Sequence, residues 1–247
     1  NLREEKNAVF FLGELEKKLK NIKNVEVKIF AHFSVLKALA EKAKLVKIGA
    51  QDLHWEEEGA FTGAALSCQD LKKIGVKEVL IGHSETRFYF GVDDKKVALK
   101  LKAALKNGIF PTICIGEDIE EKKTGKTKEV LKRQIKDGIL PAIKELKVSQ
   151  NSFSIAYEPV YAISGFAKAR GKTPKPAELE DIKAAHCFIK EIFKKEGFEV
   201  DVLYGGSVIS ENAKEILSQD FVDGVLVGSA SFDFQSFFAI IEIASRF

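Results

Sequence analysis

Residues 78–83 read EVLIGH, an apolar run that ends in a glycine and a histidine. A short run without a polar residue between Val79 and Ile81 is typical of a strand buried on both faces of a sheet. Two further runs have the same form, FPTICIG at 110–116 and SFSIAYE at 152–158. Strands buried on both faces occur mainly in parallel sheets that helices cover, so these runs predict an α/β fold.

The same alternation extends in both directions along the chain. Seven runs are predicted strands: Val25–Ala31, Leu45–Asp52, Glu78–His83, Phe110–Gly116, Ser152–Glu158, Val200–Gly206 and Gly224–Ser229. Segments with a helical period are predicted helices: Arg3–Lys20, Phe33–Lys44, Asp93–Asn107, Glu120–Glu145, Ala177–Lys195, Glu211–Ser218 and Asp233–Arg246. Strands that alternate with helices predict a parallel sheet, in one domain over residues 1–247.

A (β/α)8 barrel, or TIM barrel, fits this pattern except for its strand count, because such a barrel has eight strands. The sequence opens in a predicted helix, so we expect the first strand of the barrel to be missing from it. Methionine is absent from all 247 residues, which agrees with a start inside a longer chain. An open doubly wound sheet is the alternative, but no GxGxxG motif follows the first run.

Composition excludes several classes of protein. The chain is 45% hydrophobic and 30% charged, with a net charge of +3. Its lysines are spread along predicted helices beside acidic residues, whereas nucleic-acid binders cluster their basic residues on one face. No apolar run approaches the ~20 residues of a membrane span. Three cysteines cannot all pair, and none has zinc-ligand spacing, so we expect a cytoplasmic protein without a metal.

Two residues that can transfer protons end predicted strands, His83 and Glu158. In parallel α/β folds the active site lies at the carboxyl ends of the strands. A carboxylate there is partly desolvated, which raises its pKa toward that of a useful base. A single histidine is more often structural, so the pattern by itself leaves both interpretations open.

The last two predicted strands end in small residues, Gly205-Gly206-Ser207 and Gly228-Ser229. Small residues let backbone N–H groups approach an anion, and the loops after the last two strands form the usual phosphate site of these barrels. A tight turn explains either pair equally well. The two pairs together favour a phosphate-binding site. The segment Tyr161–Pro176 is long for a loop in a compact fold, and because it starts beside Glu158 we predict a lid.

Seven motifs together resemble those of the triosephosphate isomerase family, in its order and near its spacing over essentially the whole chain. They are GAQ at 49–51, GAFTG at 59–63, IGHSE at 81–85, CIGE at 114–117, AYEPV at 156–160, YGGSV at 204–208 and DGVLVG at 223–228. The resemblance implies interconversion of glyceraldehyde 3-phosphate and dihydroxyacetone phosphate without a cofactor. The alternatives are a non-catalytic barrel that keeps the phosphate site and another phosphate-binding barrel enzyme.

The resemblance also implies roles for individual residues. Glu158 matches the family's base, His83 its neutral electrophile and Glu85 a carboxylate beside the site. The contacts to the substrate phosphate match Ser164, Ser207, Gly228 and Ser229. The segment around Phe61-Thr62-Gly63 matches the loop through which family members form homodimers, so we expect a homodimer.

The chain departs from the family pattern at several positions. The family's opening strand ends in Asn-x-Lys, and no residue here matches that lysine. The predicted lid is several residues longer and has Tyr161 in place of the usual Trp. Neutral residues replace usual charges at Ala64, Thr86 and Val92, and Asp52 replaces a usual Asn.

Overall fold

In the part of the chain that the structure describes, seven parallel strands form one sheet in the order β1-β2-β3-β4-β5-β6-β7. The structure, a computed structural model, describes residues 3–57, 59, 65–163 and 176–247. The strands are β1 (Lys28–Ala31), β2 (Lys47–Ala50), β3 (Glu78–Ile81), β4 (Phe110–Ile115), β5 (Ser154–Tyr157), β6 (Asp201–Tyr204) and β7 (Gly224–Val225). All seven lie within the predicted runs. A doubly wound sheet reverses its strand order at a switch point, so the sequential order excludes that alternative.

Helices lie between consecutive strands. In the part of the chain that the structure describes they are α1 (Glu5–Leu19), α2 (Leu36–Lys42), α3 (Cys68–Lys73), α4 (Ser84–Phe90), α5 (Asp94–Lys106), α6 (Ile119–Lys123), α7 (Thr127–Gly138), α8 (Leu140–Glu145), α9 (Leu179–Lys195), α10 (Ser210–Leu217) and α11 (Phe234–Ala244). The predicted TIM-barrel class is confirmed by this alternation and by a solved relative described below. Within the described ranges, β1 and β7 are not paired with each other.

Alternate residues of each strand face opposite sides of the curled sheet. Leu80, Cys114 and Ala156 pack together on the inner side. Their neighbours Val79 and Ile113 are fully buried in the larger core beneath the helices. Because both faces are covered, the strands contain apolar residues without alternation, which is why the sequence pattern found them.

The prediction of one helix over Glu120–Glu145 is wrong, because the structure has three helices there, α6, α7 and α8. Gly125 adopts a φ of +71°, a left-handed conformation that ends α6. Pro141 lies in the first turn of α8, where it has no N–H to continue the α7 ladder. The short helix α3 was missed; its signal is the capping box formed by Ser67 and Asp70.

A buried histidine packs on the outer side of the sheet. His186 in α9 is 0% exposed, and its ring lies edge-on to that of Tyr157 at 5.8 Å. Its Nδ1 lies 3.1 Å from the carbonyl oxygen of Phe221 and must therefore carry the hydrogen. The Nε2 atom is buried without a hydrogen-bond partner among the described residues. Burial lowers the pKa of His186 to about 4.

Phe221 itself is strained. It lies in the turn before β7 with a φ of +72°, where a side chain crowds the backbone. Its ring is 44% exposed, so packing offsets the strain only in part. Asparagine tolerates this conformation far better than phenylalanine does.

We expect Phe221→Asn to raise the free energy of unfolding by about 1 kcal/mol, through relief of this strain. Urea unfolding of the purified protein measures the change. Phe221→Ala is the matched control, because alanine also lacks the ring but does not share asparagine's tolerance of the left-handed conformation. Equal stability gains in both variants would show that the ring, and not the backbone, causes the strain.

Acid should destabilise the fold through His186. An unfolded chain takes up a proton near pH 6.5, whereas the folded imidazole resists it down to about pH 4. Stability should therefore fall as the pH drops through this window, by about 3 kcal/mol in total.

His186→Asn keeps an N–H for the Phe221 carbonyl and removes the titration, so its stability should depend less on pH between 6.5 and 4. Urea midpoints across this range provide the measurement. His32→Asn, at a partly exposed histidine, should keep the slope of the parent. If the stability of His186→Asn fell with pH as steeply as that of the parent, His186 would not be the source of the acid sensitivity.

Candidate active site

The two predicted proton-transfer residues meet at the carboxyl end of the sheet. His83 lies two residues beyond β3, and Glu158 directly follows β5. The Oε1 atom of Glu158 lies 3.1 Å from Nε2 of His83. β4 runs between their strands, so the two side chains reach each other across its end.

A glycine at the end of β4 lets the main chain of Glu158 approach closely. Gly116 follows β4, and a Cβ atom there would overlap the carbonyl oxygen of Glu158. On the other side, a Cβ at Gly205 would lie 2.8 Å from Cγ of Glu158. The base is thus enclosed by two strand ends without side chains, and it is only 2% exposed.

A backbone N–H also holds the carboxylate of Glu158. The N–H of Ser84, the first residue of α4, donates to Oε2 at 3.0 Å. Both carboxylate oxygens therefore have partners that come from the end of β3 and the start of α4. The main chain is fixed as well, because the N–H of Glu158 donates to the carbonyl of Ile115 at 2.7 Å.

The start of α4 also sets the tautomer of His83. His83 is the N-cap of this helix, and its Nδ1 accepts the backbone N–H of Glu85 at 3.3 Å. An Nδ1 that accepts has no hydrogen, so in the neutral ring the hydrogen is on Nε2, which points at Glu158. The histidine can therefore donate a hydrogen bond from Nε2 without being charged.

The charge of Glu158 opposes the neutral form of His83. Burial lowers the pKa of the imidazole, but the Glu158 carboxylate, with weaker help from Glu85 and Asp52, raises it to about 9. In a cationic ring Nδ1 also carries a hydrogen, which would point at the backbone N–H of Glu85. Two donors that face each other are unfavourable. We favour a neutral ring whenever the carboxylate of Glu158 turns away, because the main cause of the raised pKa then disappears.

A second carboxyl group lies behind the base, and sequence reasoning assigned it no role. Glu117 follows Gly116 and is fully buried. It accepts hydrogen bonds from the hydroxyls of Tyr157 at 3.0 Å and Thr127 at 3.2 Å, while burial raises its pKa. Its carbonyl accepts the N–H of Val160 at 3.0 Å, which fixes the turn after Glu158. The position of Glu117 at the end of a predicted strand was the feature of the sequence that could have identified it.

An ion pair with a buried lysine lies at the end of β2, the strand next to β3. Nζ of Lys100, in α5, lies 2.7 and 2.6 Å from the two carboxylate oxygens of Asp52. Asp52 follows β2, so the pair ties the end of this strand to α5. Where the family usually has Asn, Asp52 thus pairs with a buried lysine.

The predicted phosphate contacts lie at the ends of β6 and β7. Ser207 follows the glycine pair after β6, and it is partly buried. Gly228 and Ser229 are exposed after β7, where Ser229 begins a short 3-10 turn. Since β6 and β7 are neighbours, these residues share one edge of the sheet. Ser164 and most of the predicted lid lie outside the described residues.

Among the described residues, no group of three or more histidine, cysteine, aspartate or glutamate side chains could hold a metal ion. No helix of the described ranges is both long and apolar enough to cross a membrane.

Known proteins share this sequence and fold. The sequence profile of the triosephosphate isomerase family matches residues 1–244. The triosephosphate isomerase of Fusobacterium nucleatum is 40% identical over 241 residues, which cover 96% of this chain and 92% of that protein. The enzyme of Thermodesulfovibrio yellowstonii is 40% identical over 245 residues, which cover 96% of this chain and 93% of that protein.

A solved structure agrees with these matches. The crystal structure of triosephosphate isomerase from Bartonella henselae superposes with a TM-score of 0.80 at 31% identity, and the match covers 95% of this chain and 92% of that one. The family resemblance of the seven motifs is thereby confirmed. The chain belongs to the triosephosphate isomerase family, the enzymes that interconvert glyceraldehyde 3-phosphate and dihydroxyacetone phosphate.

Proposed function

We propose that Glu158 and His83 carry out the proton transfers of this isomerisation. The observation that supports the proposal is the 3.1 Å contact between the Glu158 carboxylate and Nε2 of His83 at the carboxyl ends of the strands. Pairing of a carboxylate base with a neutral imidazole is the known mechanism of this family.

The chemistry follows from these two groups. Starting from dihydroxyacetone phosphate, Glu158 takes a proton from C1, and the C–H electron pair forms the C1–C2 double bond of an enediolate. The Nε2–H of His83 donates to the carbonyl oxygen at C2, where negative charge develops. His83 gives its Nε2 proton to the C2 oxygen and takes the hydroxyl proton from the C1 oxygen. Glu158 returns its proton to C2, so that C1 becomes the aldehyde and C2 carries the hydroxyl of glyceraldehyde 3-phosphate.

The base must move before it can act. Its two oxygens are bonded to Ser84 and His83, so neither is available to a carbon atom. We propose that substrate draws the carboxylate out of these bonds. The predicted lid over Tyr161–Pro176, most of which lies outside the described residues, would exclude water from the reaction. When the carboxylate of Glu158 moves away from His83, the charge that raises the pKa of the imidazole is removed. The ring is then neutral at the point where it must donate its hydrogen bond.

The remaining predicted residues have supporting roles in this proposal. Glu85 acts mainly through its backbone N–H, which fixes the His83 tautomer, because its side chain is exposed. The substrate phosphate contacts Ser207, Gly228 and Ser229, which share the sheet edge after β6 and β7, together with Ser164 of the lid.

We further propose that the chain forms a single domain and acts in the cytoplasm. Its seven strands form one sheet, and Cys68, Cys114 and Cys187 are free thiols. It would bind neither nucleic acid nor membranes.

A homodimer is proposed on the basis of an aromatic surface on α4. Phe88, Tyr89 and Phe90 are consecutive, and each is more than half exposed. Exposed aromatic patches of this kind mark protein interfaces. The matching loop around Phe61-Thr62-Gly63 lies outside the described residues. Thr86 and Val92 are neutral where the family has charges, so we expect charge to contribute little to this contact. Ala64, the third such position, lies outside the described residues.

Glu158→Gln should lower kcat by about 10²- to 10⁴-fold with a much smaller change in KM, because the carboxylate acts in the transition state. A coupled assay in both directions measures this. Glu129→Gln, at an exposed glutamate of α7, should behave like the parent. A parent-like kcat in Glu158→Gln would rule out Glu158 as the base.

The protein should remain dimeric at micromolar concentration, and added salt should not dissociate it. Phe90→Lys should produce monomers, because it places a charge in the aromatic surface. Light scattering coupled to gel filtration measures the mass. Phe10→Lys, at an equally exposed phenylalanine of α1, should stay dimeric. Monomeric parent protein, or a dimer that salt dissociates, would defeat the proposal.

A further inference from the structure

Helix α4 carries two N–H groups that hold the site, yet it buries little of its own surface. The N–H of Ser84 donates to Glu158, and the N–H of Glu85 donates to His83. Among the described residues of this helix only Ser84 is buried, and the last three residues are each more than half exposed. Apolar packing is therefore weak here, and another interaction must fix the helix if these two donors are to keep their directions.

The guanidinium of Arg87 supplies that interaction. Its Nε atom donates to the carbonyl oxygen of Gly82, the residue directly before His83, at 2.9 Å. Its Nη2 atom donates to the carbonyl oxygen of Cys114, in β4, at 3.4 Å. Its Nη1 atom donates to the carboxylate of Asp94, the first residue of α5, at 2.7 Å. One planar group thus joins α4 to the end of β3, to β4 and to α5.

The surroundings of Arg87 favour a close and directed contact. Its side chain is 20% exposed and that of Asp94 is 15% exposed, so water screens the pair only in part. Gly82 adopts a φ of +72°, and a Cβ atom there would lie 3.2 Å from Nη2 of Arg87 and 2.9 Å from a methyl group of Val97. The glycine therefore leaves room for the guanidinium at the end of β3.

We propose that Arg87 is a positioning residue of the isomerase, which locks α4 against β3 and β4 so that the N–H groups of the first two helical residues stay aimed at the base and at the imidazole. This role rests on those proposed above for Glu158 and His83. Arg87 acts through the backbone of α4 and not on a reacting atom.

The test uses variants of the full chain in the coupled assay. Arg87→Lys keeps a charge that can pair with Asp94, but an ammonium on a flexible stem cannot also hold both carbonyls. Arg87→Lys and Arg87→Met should therefore lower kcat about 10- to 100-fold with a smaller change in KM, because the imidazole is then misaligned with the substrate.

Two further variants separate positioning from stability. Asp94→Asn leaves the guanidinium on the two carbonyls, so its kcat should stay near that of the parent although its stability falls. Arg133→Met is the matched control, at a more exposed arginine whose Nε lies 3.5 Å from Asp94, and it should keep the kcat of the parent. A merely structural role of Arg87 would lower the stability of its variants and leave kcat unchanged at temperatures where they are folded.

The ring of His83 gives a direct readout. Nitrogen chemical shifts of a neutral imidazole report which nitrogen carries the hydrogen, so NMR spectra are recorded above the pKa of the ring, which is about 9. The parent and Asp94→Asn should show the hydrogen on Nε2 alone, whereas Arg87→Lys and Arg87→Met should show both tautomers. The resonances are identified from their loss in His83→Gln.

An unchanged tautomer in the Arg87 variants, or a loss of kcat in Asp94→Asn equal to that in Arg87→Met, would overturn the inference. If Arg87→Met does not fold, Arg87→Lys and Asp94→Asn still carry the test. Failure of the proposed function would look different, because Glu158→Gln and His83→Gln would then keep their activity while the tautomer could still change in the Arg87 variants.

Discussion

The site depends on the close approach of the Glu158 carboxylate to the end of β3, across the end of β4. Neighbouring strands lie about 4.8 Å apart, so the carboxylate must reach past the end of β4 to meet His83. Gly116 leaves room for the main chain of Glu158, and Gly205 leaves room for its side chain on the far side. The sheet order, the two glycines and the bonds of the carboxylate to Ser84 and His83 thus position Glu158 together.

Electrostatics then decides how this arrangement can work. An imidazole beside a buried carboxylate tends to take up a proton, yet the donor at its Nδ1 permits only the neutral ring to bond well. Movement of Glu158 resolves the conflict, because the base leaves the ring when it attacks carbon. The ion pair of Lys100 with Asp52 ties the end of β2 to α5.

The fold was predictable where burial leaves a pattern in the sequence. Runs such as EVLIGH were recognisable as strands because both faces of the sheet are covered, and all seven strands were found. The pattern failed at Glu120–Glu145, since helical spacing continues through a break that depends on Gly125 and Pro141. It also missed α3, which is too short to show a period.

The sequence by itself determined the order of strands and helices and the family, because periodicity and short motifs are local properties of the chain. It also indicated His83 and Glu158, since both end apolar runs. Only the tertiary structure decided which groups meet: the contact of these two side chains, the buried Glu117 behind them and the pairing of Lys100 with Asp52. These contacts join residues far apart in sequence, and their charges interact through distances and burial that the linear chain does not contain.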